Sequence, residues 1–404
     1  MRCARSTRRT PRTHRLSCTG LVLCVLGVLC VGRAAGAQEP SAPQAVSPAQ
    51  LKAAIDKLGD LDYATRTNAS RTVRRTATPQ AVPALLQAVA EHTDPYVRYR
   101  ALVLLTGFND PRAKDAMRES LASPNDRLRT VAYSFFEHNP DRAMTATFLS
   151  ALDKEQAEFV RPAVVRALAA LGPQPALLRE VTRGEDFFRS AVIEALGDYK
   201  AAYAFDALTA VAKIDGPLQD DAALALGKIG DKRALETLAA MQRSASRQTQ
   251  PSIATAICLL GVNCESHENY LVDTLKFADK NTGFQEWLRG AATGLGALAV
   301  AGHDEAVTAL FDIGIPARDD STRAPVALAL ATVALRNTAV MMPVLEKRTD
   351  RDQALALVAE GFDMLEEDLD KERFFAFARR TYWDSPENSP RRSLMQTLIG
   401  KLDF

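Results

Sequence analysis

From Ala49 onward the chain is a succession of amphipathic segments. Apolar residues recur every three or four positions over stretches about a dozen residues long, which is the period of one buried helical face. In "TPQAVPALLQAVAEH" the stripe is Val82, Leu85, Leu86 and Val89. Strict apolar/polar alternation does not recur, so the pattern predicts helices and no strands. The breaks between segments are short: "TGFNDP", "EHNPD", "LGPQP", "LGDYK" and "LGKIGDK". Glycine in such a break suits a helix end, and proline or aspartate suits the next helix start.

The segments repeat. "DYATRTNASRTV", "DPYVRYRALVLL", "NDRLRTVAYSFF", "AEFVRPAVVRAL" and "EDFFRSAVIEAL" each open on a turn residue and place an arginine four positions later. These are Arg66, Arg98, Arg129, Arg161 and Arg189; Gln219 takes the place in a sixth copy, and the steps run from 28 to 32 residues. Asp94 or Asn125 is placed to cap its helix. The regular arginine predicts a ladder of charge pairs between stacked units. A second helix follows each break, so the unit is a helix–turn–helix of about 30 residues that buries its apolar face only against its neighbours. Roughly ten such units fit the chain. They are regular to about residue 280 and divergent beyond it, with 384–404 as a terminal cap. In "GKIGDK", Gly227 and Gly230 are expected to form the turn, Asp231 to start the next helix, and Lys228 and Lys232 to be solvated.

"AALALGKIGDKRALETLAAM", together with the D-x-x-V-R-x-x-A opening of "DPYVRYRA", resembles the HEAT repeats of the bacterial phycobilisome-lyase type. The resemblance implies an all-α, α–α superhelix whose second helices line the concave side and bind other proteins. It leaves an alternative, an enzyme or enzyme accessory subunit of the lyase type.

The first 37 residues are different. Six arginines precede "LVLCVLGVLCV", and Ala35 and Ala37 follow at small-x-small spacing. This predicts a signal peptide cut after Ala37, the alternative being an uncleaved anchor. Residues 38–48, rich in proline and serine, read as a flexible lead-in to a solenoid spanning 49–404. Seven of the 50 Lys and Arg residues and none of the 49 acids fall before residue 38, which leaves 43 basic against 49 acidic. An exported, mildly acidic chain is expected to bind no nucleic acid. After cleavage no membrane span is predicted, and the location is periplasmic or secreted.

Chemistry is sparse. Cleavage leaves two of the six cysteines, Cys258 and Cys264. In an oxidising compartment they can pair, or they can remain as free thiols; spacing alone leaves both open. His92, His138, His267 and His303 look out of phase in the repeat, and the cysteines lack partners at zinc spacing, so neither a metal nor another cofactor is expected. The sequence contains neither G-x-S-x-G nor a P-loop. The acidic run Leu365–Glu372 reads as a solvated helix boundary. Phe374–Trp383 reads as apolar packing, or alternatively as a binding hot spot. The expectation is a non-catalytic scaffold for a protein partner, with the binding residues unknown.

Overall fold

A computed structural model describes residues 44–281 and 283–402. The expected signal segment, the lead-in up to residue 43 and residues 403–404 lie outside the described residues. Among the described residues there are twenty-two α-helices and no strand. They are α1 (Pro48–Asp56), α2 (Tyr63–Arg75), α3 (Thr78–Glu91), α4 (Pro95–Thr106), α5 (Arg112–Ser120), α6 (Asp126–His138), α7 (Thr145–Lys154) and α8 (Arg161–Ala170). Next come α9 (Ala176–Glu180), α10 (Asp186–Asp198), α11 (Phe205–Ala212), α12 (Gln219–Ile229), α13 (Ala234–Ser244), α14 (Gln250–Leu259) and α15 (Cys264–Asp279). The last are α16 (Gln285–Ala301), α17 (Asp304–Gly314), α18 (Asp320–Arg336), α19 (Thr338–Lys347), α20 (Arg351–Met364), α21 (Asp368–Asp384) and α22 (Pro390–Leu402).

The helices form two rows. From α4 to α20 the even-numbered helices pack each on the next, and the odd-numbered helices form the second row. The even-numbered helices up to α12 carry the recurrent arginine, or Gln219 in its place. Their row curls until α18 meets α6, where Arg336 Nη1 lies 3.6 Å from Glu137 Oε1. This corrects an expectation: the concave side is lined by the first helix of each repeat, not the second. Tight approach within the row explains the geometry. A Cβ at Gly197 would stand 2.8 Å from Ala225 Cα, and one at Gly227 would collide with Ala256. Gly227 is therefore an interior helix residue chosen for close packing, and only Gly230, with φ +83°, makes the turn.

The caps follow from sequence. Asp62, Asp94 and Asn125 accept from the backbone N–H groups of Thr65, Tyr96 and Arg127, satisfying donors that a helix start leaves open. Gln44 is bonded on both sides to the α2–α3 turn, through Arg75 O and Ala77 N, each at 2.8 Å. Ser47 then caps α1 with a reciprocal bond to Gln50.

Two large apolar clusters fill the space between the rows, one from Leu51 to Leu260 and one from Ala254 to Ile399. Leu369 of α21 belongs to the first, although its neighbours in sequence belong to the second. Among the described residues no single helix is long and apolar enough to cross a membrane.

Candidate functional site

The repeat arginines do not form the expected ladder. Arg98 Nε donates to Val89 O at 2.7 Å, and Arg189 Nε donates to Val181 O at 3.0 Å. Gln219 Nε2 donates to Ala212 O at 3.1 Å. Each acceptor lies at the C-terminal end of the preceding outer helix, where carbonyls lack partners and the helix dipole favours a cation. Arg66 reaches the carbonyls of the following turn instead, Asp60 O and Leu61 O, and Arg129 reaches Ser123 O and Pro124 O. Arg129 also forks onto Glu155, and Arg161 stacks on Phe188 with its guanidinium carbon 3.5 Å from the ring centroid. The device recurs at Gln250 and persists beyond residue 280, where the sequence pattern fades, at Arg323 and Arg351. Gln250 bonds Gln242 O and Ala245 O, Arg323 bonds Gly314 O, and Arg351 bonds Leu345 O and Glu346 O.

A ladder between repeats does exist, at the other end of the inner helices. Arg166 of α8 joins Glu137 of α6 at 2.8 Å and Asp198 of α10 at 3.0 Å. Asp198 joins Lys228 of α12 at 2.7 Å, so Lys228 is an ion-pair partner and not a solvated side chain. Tyr199 donates to Glu137 at 2.8 Å. Beside this ladder the inner wall is acidic. Burial, Asp220 and Glu194 push Asp221 up to about 6, against a 2.6 Å bond from Ser190 that lowers it. Glu194, Thr293 and Leu328 remain exposed on this face.

The acidic run is not a solvated boundary. It forms the lead into α21, which crosses the inner row and packs on α4, α6 and α18. Four of its five acids each meet a different helix, and Glu366 is exposed. Glu367 takes Arg336 of α18 at 3.1 Å, and Asp368 takes Arg100 of α4 at 2.7 Å together with the Tyr99 hydroxyl. Asp370 Oδ1 lies 2.6 Å from His138 Nε2 of α6. Glu372, 1% exposed, accepts from Arg74 of α2 at 2.7 and 2.8 Å. Burial would raise Asp370, but His138, Arg336 and Arg373 hold it down at about 2. Burial, with Arg74, Arg75 and Arg380 close by, lowers Arg379 to about 10. Phe374 and Tyr382 are buried, in line with apolar packing of Phe374–Trp383; Trp383 keeps 41% of its surface. A cleft of about 860 Å³ lies between α21 and the ends of α4 and α6, lined by Thr106, Asn109, Lys114, Phe135, Arg373 and Arg380. Lys114 there is neutralised by Asp141 and Arg373 by Asp370.

The cysteines and one histidine converge. Cys258 and Cys264 are joined as a disulfide across the α14–α15 turn. His303 starts the next outer helix, as Cys264 starts its own. The stacking of repeats brings His303 Nδ1 to 3.9 Å from Cys264 Sγ and 3.7 Å from Glu268 Oε2. The cysteines, read from sequence as lacking partners at zinc spacing, thus have His303 beside them. The other histidines lie elsewhere: His92 meets Asp56 at 3.3 Å, His138 meets Asp370, and half-buried His267 has its pKa lowered by burial.

Two rows of antiparallel helices in about ten stacked pairs, with the recurrent arginine or Gln219 on the inner helix of each regular pair, define a HEAT-repeat solenoid. Residues 51–135 match the family model for HEAT repeats, and residues 218–243 match that of the PBS lyase HEAT-like repeat. No curated protein matches the sequence significantly. Among solved structures the chain is similar to the complex of CpcE and CpcF of phycocyanin lyase from Nostoc sp. PCC7120, at 19% identity and a TM-score of 0.39, covering 64% of this chain and 97% of that one. It is also similar to a mutant of the karyopherin Kap121p, at 13% identity and a TM-score of 0.41, covering 88% of this chain and 45% of that one. For importin beta the values are 13% and 0.36, covering 88% and 58%.

Proposed function

We propose that the chain is an exported, non-catalytic scaffold that binds a protein partner along the free part of its inner face. One observation carries the reading. On α8, α10 and α12 the inner polar side chains are braced laterally from helix to helix, through Arg166, Asp198 and Lys228, instead of converging on a reacting point. Such a wall is rigid and extended, which suits recognition of a chain more than chemistry on a small molecule. Glu194, Asp220 and Asp221 make it negative, so the fitting partner presents a segment bearing Lys or Arg. Export rests on the basic and apolar segment before Ala37.

The test is site-specific photo-cross-linking in cells, from Glu194 and Thr293 on the inner face and from Glu236 on outer helix α13. The expected result is a discrete adduct from the inner sites only, on a Lys- or Arg-bearing peptide, from a chain whose N-terminus is Gln38. Equal labelling from Glu236, or a chain kept inside the cell with Met1, overturns the reading.

A further inference from the structure

We infer that Cys258, Cys264, His303 and Glu268 form a redox-gated site for a zinc-class divalent cation, closed by the disulfide and opened by its reduction. The donor set is two thiolates, one imidazole and one carboxylate, the mixture that zinc takes in four-coordinate sites. The three ligand atoms of Cys258, Cys264 and His303 lie within 4.8 Å of one another, and Glu268 Oε2 lies 3.7 Å from the same imidazole nitrogen. Donors on one tetrahedral zinc stand about 3.4 to 3.8 Å apart, by the usual Zn–N, Zn–O and Zn–S lengths. The 3.9 and 3.7 Å separations around His303 are already close to that span.

The backbone holds the site in place. Gly261 and Asn263 both take left-handed φ, +76° and +46°, which turns α14 into α15 and aims the two sulfurs at each other. Gly302, with φ +115°, does the same one repeat later and leaves His303 at the head of α17. Glu268 lies one turn into α15, on the face that carries Cys264. Asp304 and Glu305 add negative charge beside Glu268, which favours a cation. The site is reachable, because His303 keeps 32% of its side-chain surface.

Opening balances as thiol–disulfide exchange. A dithiol reductant gives two electrons and two protons to the Cys258–Cys264 bond and is itself oxidised to a disulfide. The cation then displaces the two thiol protons into solvent. The sulfurs move apart from bonding distance to about 3.8 Å on the metal.

The experiment uses the full chain, oxidised or reduced by a dithiol that is then removed anaerobically, with Zn²⁺ and Co²⁺ as probes. The reduced chain is expected to bind one Zn²⁺, and with Co²⁺ to show thiolate-to-cobalt charge transfer; the oxidised chain is expected to bind neither. His303→Ala and Glu268→Gln, both near the surface, should weaken zinc by more than about tenfold. Cys264→Ser should cut the charge-transfer band by half or more. No uptake by the reduced chain, or unchanged affinity in His303→Ala, overturns the site. Either outcome is independent of partner capture, so the scaffold reading stands or falls separately.

Discussion

At the residue scale, the recurring arginine shows how far a sequence pattern carries. Its period was legible because each copy sits on the same turn of the same helix. Its role was not, because the partner is a backbone carbonyl that any sequence supplies. Gln219 and Gln250 fill the same role without charge. The hydrogen bond to the end of the outer helix is therefore the required feature, and charge adds to it. Arg98→Gln is expected to keep stability near that of the native chain, while Arg98→Met leaves Val89 O without its donor and costs about 1–2 kcal/mol. Denaturant midpoints of the two variants check this, and equal losses would refute it. The cysteine–histidine cluster was missed for a related reason. His303 and Cys264 are 39 residues apart, outside any zinc-ligand spacing in the sequence and longer than the 28 to 32 residue step of the regular repeats. Longer helices in this part of the chain, such as α15 and α16, absorb the difference.

At the element scale, α21 departs furthest from the expected plan. Its helical period was legible, and so was the buried stripe of Phe374, Ala378 and Tyr382. The destination of its acids was not, since Arg74 and Glu372 are 298 residues apart and follow no repeat. Buried carboxylates of this kind make stability depend on pH. Asp370 is held near 2, below the ordinary 3.8. A depressed native pKa favours the charged form in the fold, so its contribution is complete above about pH 4 and is lost as pH falls through 2. The difference amounts to about 2 kcal/mol at neutral pH. Asp370→Asn is expected to be less stable than the native chain by that order at pH 7, with the gap closing as pH approaches 2. Unfolding free energies across that range test it, and a gap constant with pH would show that the fold does not hold Asp370 in its charged form.

At the scale of the whole molecule, α21 changes how a repeat protein should unfold. An open solenoid couples only neighbouring repeats, so distant parts melt independently when their stabilities differ. Here Leu369 enters the N-terminal core, and four acids reach α2, α4, α6 and α18 from one helix. Repeats far apart in sequence are thereby tied to the end of the chain. That closure predicts a single cooperative transition for the native chain. Removing the charges while keeping the shapes, as Asp368→Asn with Asp370→Asn and Glu372→Gln, leaves Arg74 and Arg100 buried beside neutral groups, an expense of several kcal/mol concentrated at the closing contact. The helices themselves retain their caps and their neighbours. The triple variant is therefore expected to unfold in two steps, with amide exchange of α2, α4 and α6 rising first and with scattering showing a larger radius of gyration between the steps. A single transition at a lower midpoint, with exchange rising uniformly along the chain, would mean that the contact stabilises the molecule without coupling its ends.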